Sequence, residues 1–170
     1  MPYPAKAIAN EFLELAKRDG KKLTPMQIQK LVYFAYGWYL AITGEYLVNE
    51  RVEAWQWGPV FPSLYREFRR FGSEPITELA SEAVVRNQSG HIRLVLTPVR
   101  LDNDSEKSLF AHNVINKVWQ VYGNLSGSQL SNLTHAKDSP WSLTPNKEIS
   151  GTDIPDNLIK QYFREIALKK

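Results

Sequence analysis

No cysteine stands among the 170 residues, and that one absence removes disulfides, thiolate nucleophiles, zinc fingers and iron–sulfur clusters together. Histidine is scarce as well. His91, His112 and His135 are the full set, and no two fall at the HxH or HExxH spacing of a metal-binding segment. The 9 glycines build neither a Gly-x-x-x-x-Gly-Lys-Ser/Thr loop nor a Gly-x-Gly-x-x-Gly turn, so the two common phosphate cradles are missing. A Gly-x-Ser-x-Gly nucleophile elbow is missing too. Charge of one sign does not dominate: 21 Lys and Arg stand against 18 Asp and Glu, a net +3 that permits contact with nucleic acid without announcing it. The longest apolar run, Leu31 to Ile42, covers 12 positions, well short of the ~20 that a membrane span needs. Met1-Pro2-Tyr3-Pro4-Ala5-Lys6 has no apolar run of the kind that opens a signal peptide. The Asn-x-Ser/Thr sequons at Asn87, Asn103, Asn124 and Asn132 are then chance matches. The expectation is one soluble domain over residues 1–170, in a reducing cytoplasmic setting, with no metal and no cofactor.

What is present is helical periodicity. Ile8, Phe12, Leu15 and Ala16 predict an amphipathic helix over 5–19, with Gly20 at the left-handed C-terminal position. Thr24, Pro25 and Gln27 supply a capping box with proline at the first helical position, and the helix they start is predicted to run to Thr43 and stop at Gly44. Ile28, Leu31, Val32, Ala35, Tyr39 and Ile42 form one stripe of it, and Tyr33, Phe34, Tyr36, Trp38 and Leu40 cover much of the rest. A helix apolar nearly all round is surrounded by others, which places 25–43 at the centre of the fold.

Further helices are predicted over 61–71, 105–122, 128–136 and 155–168, the last with Asp153 as a possible cap. In 61–71, Leu64, Tyr65, Phe68 and Phe71 are expected to point inward; in 105–122, Leu109 joins Val114, Ile115, Val118, Trp119 and Tyr122 on the apolar side. His91 to Leu96 alternates as a half-buried strand would, and Val84-Val85-Arg86 can pair with it across the Gln88-Ser89-Gly90 turn. The fold class is mainly α (α+β): a compact helical domain around a buried central helix, with a small antiparallel β element.

Three places could carry function. Ala54-Trp55-Gln56-Trp57-Gly58-Pro59-Val60 is the most distinctive: the two tryptophans are expected to point opposite ways, one into the core and one open to a partner. Gly58 allows positive φ, and Pro59 fixes the chain's direction into the next helix. Arg66, Arg69 and Arg70, at i, i+3 and i+4, are expected to meet on one helix face and to recognise an acidic partner or a phosphate backbone. Lys17, Arg18, Lys21 and Lys22 form a second basic group, and Lys169 and Lys170 a third. His135, near Thr134 and Ser131, is the one candidate general base, but no nucleophile stands beside it and a local structural hydrogen bond is the simpler role.

Four ordered blocks resemble the Panacea domain, known from SocA-like antitoxins and phage-associated proteins. They are Leu23-Thr24-Pro25-Met26-Gln27-Ile28-Gln29-Lys30-Leu31-Val32-Tyr33-Phe34-Ala35; Ala54 to Val60 with Tyr65; Leu130-Ser131-Asn132-Leu133-Thr134-His135 with Pro140-Trp141; and Ile159-Lys160-Gln161-Tyr162-Phe163. Each block is weak and the ordered set is specific; it spans nearly the whole chain, with no appended DNA-binding or toxin domain. The resemblance implies a mainly helical antitoxin of a type II toxin–antitoxin pair that neutralises its cognate toxin by direct binding. It also implies alternatives: an adaptor delivering the toxin to a protease, and a phage- or mobile-element-encoded origin. It brings no catalytic residues. Leu31, Phe34, Trp55, Gly58, Pro59, His135 and Trp141 read as structural positions within it. The surface expected to meet the partner is Trp57, Tyr65, Arg66, Arg69 and Arg70. A nucleic-acid-binding protein using the three arginines, and an enzyme using His135, remain the other classes.

Overall fold

Thr24, Pro25 and Gln27 do what their spacing predicts. In a computed structural model describing residues 2–103 and 105–169, the Gln27 N–H donates to Thr24 Oγ1, and the Thr24 N–H donates to Gln27 Oε1 at 2.9 Å. The helix so started, α2 (Pro25–Thr43), ends at Gly44 with φ 75. It follows α1 (Ala5–Arg18), which closes through Asp19 and Gly20. A short hairpin comes next, β1 (Glu53–Trp55) with β2 (Gly58–Val60), and leads into α3 (Pro62–Phe68) and a 3-10 turn over Arg69–Phe71. A longer hairpin, β3 (Ser81–Gln88) with β4 (His91–Pro98), precedes α4 (Glu106–Tyr122), α5 (Gly127–Thr134), α6 (Pro140–Leu143) and α7 (Asp156–Leu168). Both sheets are two-stranded and antiparallel. Lys170, placed in a basic group above, lies outside the described residues.

The central placement of α2 holds. It packs against α1, α3, α4, α5, α7 and β2, and Ile28, Leu31, Val32 and Ala35 are fully buried. Its aromatic flank is an ordered stack. Phe34 lies parallel to Tyr122 of α4 at 4.3 Å between ring centres, and the Phe163 ring of α7 meets Tyr33 and Trp38 edge-on at 5.8 and 5.1 Å. Gly37 makes this possible, because a Cβ there would fall 2.1 Å from a Phe163 ring carbon. Tyr36 is buried against the Phe61 ring and donates to Asp156 Oδ1 at 2.7 Å; burial, then the neighbouring carboxylate, pushes its phenol well above the ordinary value.

Several details differ from the sequence expectation. Ile42 is 61% exposed, because the last turn of α2 reaches only the rim of a groove between α2, α4 and α7. Leu109 is exposed, off the stripe of Ala111, Ile115 and Val118 that α4 buries. The helix expected over 61–71 keeps α geometry only to Phe68, then tightens into the 3-10 turn, and Tyr65 lies half-exposed rather than inward. Asp153 does not cap α7; it accepts from Arg51 at 2.8 Å, and Pro155 holds the cap position without a side-chain bond. The expected 128–136 helix is α5, started one residue earlier by a Ser126–Gln129 capping box and ended by Thr134, while α6 was not foreseen.

The β3–β4 hairpin is the largest departure. It is longer than expected, with Ser81 opposite Pro98, and its turn at Ser89-Gly90 has φ 53 and 81, the positive values that two-residue hairpin turns favour. It is not half-buried. Val85, Ile92, Leu94 and Leu96 line one face and all are exposed, Leu94 to 75%. Only its stem is held: buried Asn10 of α1 donates to Ala80 O at 2.8 Å and Val99 O at 2.9 Å, and accepts from the Ala80 N–H at 2.8 Å.

Two substitutions on α2 measure how its burial is distributed. Leu31→Ala should cost about 2–5 kcal/mol as a large-to-small core change, while Ile42→Ala should stay within about 0.5 kcal/mol. Urea midpoints of the two variants check both; a Leu31→Ala midpoint equal to that of the parent contradicts the central packing of α2.

Candidate functional site: an aromatic cleft over a buried lysine

Trp55 and Trp57 do not divide between core and solvent as expected: both line one cleft, and Trp55 is only half-buried. On an unbroken strand, residues two apart share a face. Here β1 stops at Trp55, and Gln56-Trp57 is the turn of the hairpin, which opposes Trp55 to Gly58 and Ala54 to Pro59. Trp55 packs edge-on against Tyr65 at 4.8 Å, while Trp57 is 62% exposed. Gly58 carries φ +116, and a Cβ on it would meet Thr134 Oγ1 at 2.6 Å and the end of Lys30 at 3.1 Å. Both reasons for a glycine therefore apply at one position.

The hairpin corner makes few ladder bonds of its own, so its backbone is satisfied by side chains from three helices. Gln29 of α2 clamps Phe61, donating to its carbonyl at 3.1 Å and accepting from its N–H at 2.9 Å. Lys30 donates to Pro59 O at 3.0 Å. Ser131 of α5 donates to Trp57 O at 2.8 Å, and the Trp141 indole of α6 donates to Trp55 O at 2.7 Å. His135 sits between, Nε2 3.1 Å from Gln56 O and Nδ1 2.6 Å from Ser131 O, with its ring 4.0 Å from that of Trp141. His135 and Trp141 thus both lie against the backbone of this corner. Each ring nitrogen lies within hydrogen-bond distance of a backbone carbonyl, and Thr134 Oγ1 donates to Ser131 O.

Lys30 is the feature that sequence reading passed over. It lies in the first block beside Gln29 and is 1% exposed. Burial alone pushes its ammonium down to about 7, since no carboxylate offsets the loss of water. Above it opens a cleft of about 310 Å³, walled by Trp55, Trp57, Tyr65 and Met26, with Arg69 among its lining residues. A lysine set between Ile28 and Leu31 on a helix expected to be buried was the available signal.

The cleft brings together Trp57, Tyr65 and Arg69 of the expected partner surface, but not the arginine trio. The shift from α to 3-10 geometry at Arg69 breaks the i, i+3, i+4 face. Arg70 turns away to pair with Glu78 at 3.0 Å over the Phe71 ring, and Arg66 stays exposed on α3. The Lys17–Lys22 group is likewise partly engaged. Arg18 pairs with Asp19 at 2.8 Å, and Lys21 lies over the Trp119 ring and donates to Asn124. Asp19 also accepts from the Trp119 indole at 2.7 Å; Arg18 first, then Trp119, hold its carboxyl well below the usual range. No group of three or more acidic or histidine side chains placed to hold a metal occurs among the described residues.

A family model described as "Antitoxin SocA-like, Panacea domain" matches residues 28–142. The chain is 34% identical over 164 residues to the Antitoxin SocA of Caulobacter vibrioides (strain NA1000 / CB15N), covering 94% of this chain and 82% of that protein. No solved structure matches.

The lysine has a measurable cost. Below its folded value of about 7 the ammonium is charged in both folded and unfolded chains, and the whole penalty of burying it is present. Between about 7 and 10.5 the folded chain has lost this proton and the unfolded chain keeps it, so stability rises with pH across that window. Lys30→Met removes this penalty but orphans the Pro59 carbonyl, so its stability relative to the parent should be greatest at pH 6 and should fall as pH rises toward 10. Denaturant titrations of both proteins at pH 6, 8 and 10 check the sign; a difference constant with pH contradicts it. Gly58→Ala should lose about 1–3 kcal/mol, through its φ and the contact with Thr134.

Proposed function

The chain belongs to the Panacea family of SocA-like antitoxins, and on that premise we propose that it is the antitoxin of a type II toxin–antitoxin pair, neutralising a cognate protein toxin by direct binding and without chemistry of its own. The observation that carries the reading is the cleft at the hairpin corner. Aromatic side chains are offered to solvent there on a backbone tied at five consecutive or near-consecutive residues to α2, α5 and α6. Interfaces are anchored by such aromatic and arginine residues when they are pre-organised, because little ordering remains to be done on binding.

The contact surface centres on Trp57, Tyr65 and Arg69, with Arg66 on the adjoining turn of α3. Arg70 has an internal partner and is left out of it. A stable interface buries about 1,600 Å² in total, so the toxin must reach beyond the cleft. The apolar face of the β3–β4 hairpin is the second surface available to it.

Growth rescue tests the reading. The product of the adjacent open reading frame is expressed alone and together with this chain, and toxicity alone with rescue on co-expression is the expected result. Arg66→Glu with Arg69→Glu reverses two charges while sparing the core, so the variant should fold by circular dichroism and fail to rescue. Full rescue by the folded double variant moves the contact to the β3–β4 hairpin. Rescue that disappears when host proteases are deleted supports delivery of the toxin to a protease instead.

A further inference from the structure

An ammonium group has three hydrogens to donate. That of Lys30 gives one to Pro59 O, and among the described residues neither Asp nor Glu lines the cleft above it. The other charged lining group is Arg69, of the same sign. Burying a cation against a single neutral acceptor is unfavourable, and a carboxylate brought to it recovers most of what desolvation costs. The structure therefore holds one deep, unneutralised positive charge beneath three aromatic walls. We propose that Lys30 is the receptor for a single carboxylate carried by the toxin, an Asp or Glu side chain presented beside an apolar or aromatic residue that lies against Trp55, Trp57 and Tyr65.

The identity of the partner rests on the antitoxin reading; the chemistry of the site rests on the cleft alone. A carboxylate fits better than a phosphate. The start of α2 forms part of the rim, but Pro25 has no N–H and the Gln27 N–H is already given to Thr24, so no cluster of backbone donors waits for a third oxygen. A nucleic-acid backbone needs a row of cations, and here Arg70 is paired elsewhere. Apolar walls with one charge at the floor and one at the rim suit a carboxylate on an apolar stem.

A small probe tests the site without the toxin. The full chain is titrated with 3-phenylpropionate and with its neutral amide, following tryptophan fluorescence and the lysine 13Cε resonances. The carboxylate should bind at least about tenfold more tightly than the amide at pH 6, and the Lys30 midpoint should move up from about 7 on binding. The preference should fade as pH rises. The other titratable groups near the cleft are Tyr65 and Arg69 from the α3 side and His135 from α5. Lys30→Met separates them from Lys30, since it should bind carboxylate and amide equally at every pH. Equal binding by the parent, no saturable binding of the carboxylate, or a preference that survives Lys30→Met overturns the proposal. Tighter binding of phenyl phosphate than of phenylpropionate overturns the carboxylate assignment.

Co-expression with the toxin then separates the site from the reading. Folded Lys30→Met should lose rescue. If it rescues as the parent does, the carboxylate contact falls and the antitoxin reading stands. If the parent itself fails to rescue while the probe discriminates, the anion site stands and the toxin is overturned as its source.

Discussion

The constraint on which the structure turns is the backbone of residues 55–61. A two-stranded hairpin inserted among helices has no third strand to pair with its outer carbonyls, and buried carbonyls left unpaired cost about 1–3 kcal/mol each. Gln29 and Lys30 from α2, Ser131 and His135 from α5, and Trp141 from α6 supply the partners. Elements far apart in sequence are thereby locked around one corner. The same bonds fix the angle at which Pro59 sends the chain into α3, and so place Tyr65 against Trp55. Three of the four ordered sequence blocks meet at this corner, and the fourth supplies Phe163, the ring on which α2 is seated at Gly37.

Within this corner the polar side chains are not equivalent. Gln29 makes two complementary bonds to one residue and is satisfied. Lys30 makes one and carries a charge besides. A methionine of similar length would fill the space without that electrostatic cost, and natural sequences tend to retain such local conflicts where function requires them. That electrostatic cost falls at the floor of the cleft walled by Trp55, Trp57 and Tyr65.

The β3–β4 hairpin represents the opposite design. Its turn geometry and long register make it a well-formed ribbon, yet the side-chain bonds that grip it are at its stem, from Asn10 to Ala80 and Val99 and from Glu67 to Ser81. Arg86 stands directly opposite Arg93, a like-charge pair that is unfavourable in isolation, and the other face is apolar and exposed. Helical packing around α2 thus supplies rigidity, and the ribbon supplies a projecting surface that the core does not use.

The sequence by itself determined the longer helices and the centre of the fold. Capping chemistry at Thr24-Pro25-Gln27 and the all-round apolarity of 25–43 are local properties, and both survive into the structure because nothing in tertiary packing opposes them. The hairpin turn at Ser89-Gly90 and the special backbone at Gly58 were legible for the same reason. What only the tertiary structure decided was which groups met. Periodicity shows that a residue faces something, not what it faces, so Tyr65 and Ile42 read as buried, and the strand with Ile92, Leu94 and Leu96 as half-buried, and all are exposed. Spacing showed three arginines on one face, and a change of helix type at Arg69 separated them. Lys30 looked like one polar residue on a long helix. Its meaning came from Pro59, Trp55 and Tyr65, 25 or more positions away in the chain, because a buried charge is defined by the neighbours it lacks as well as by those it has.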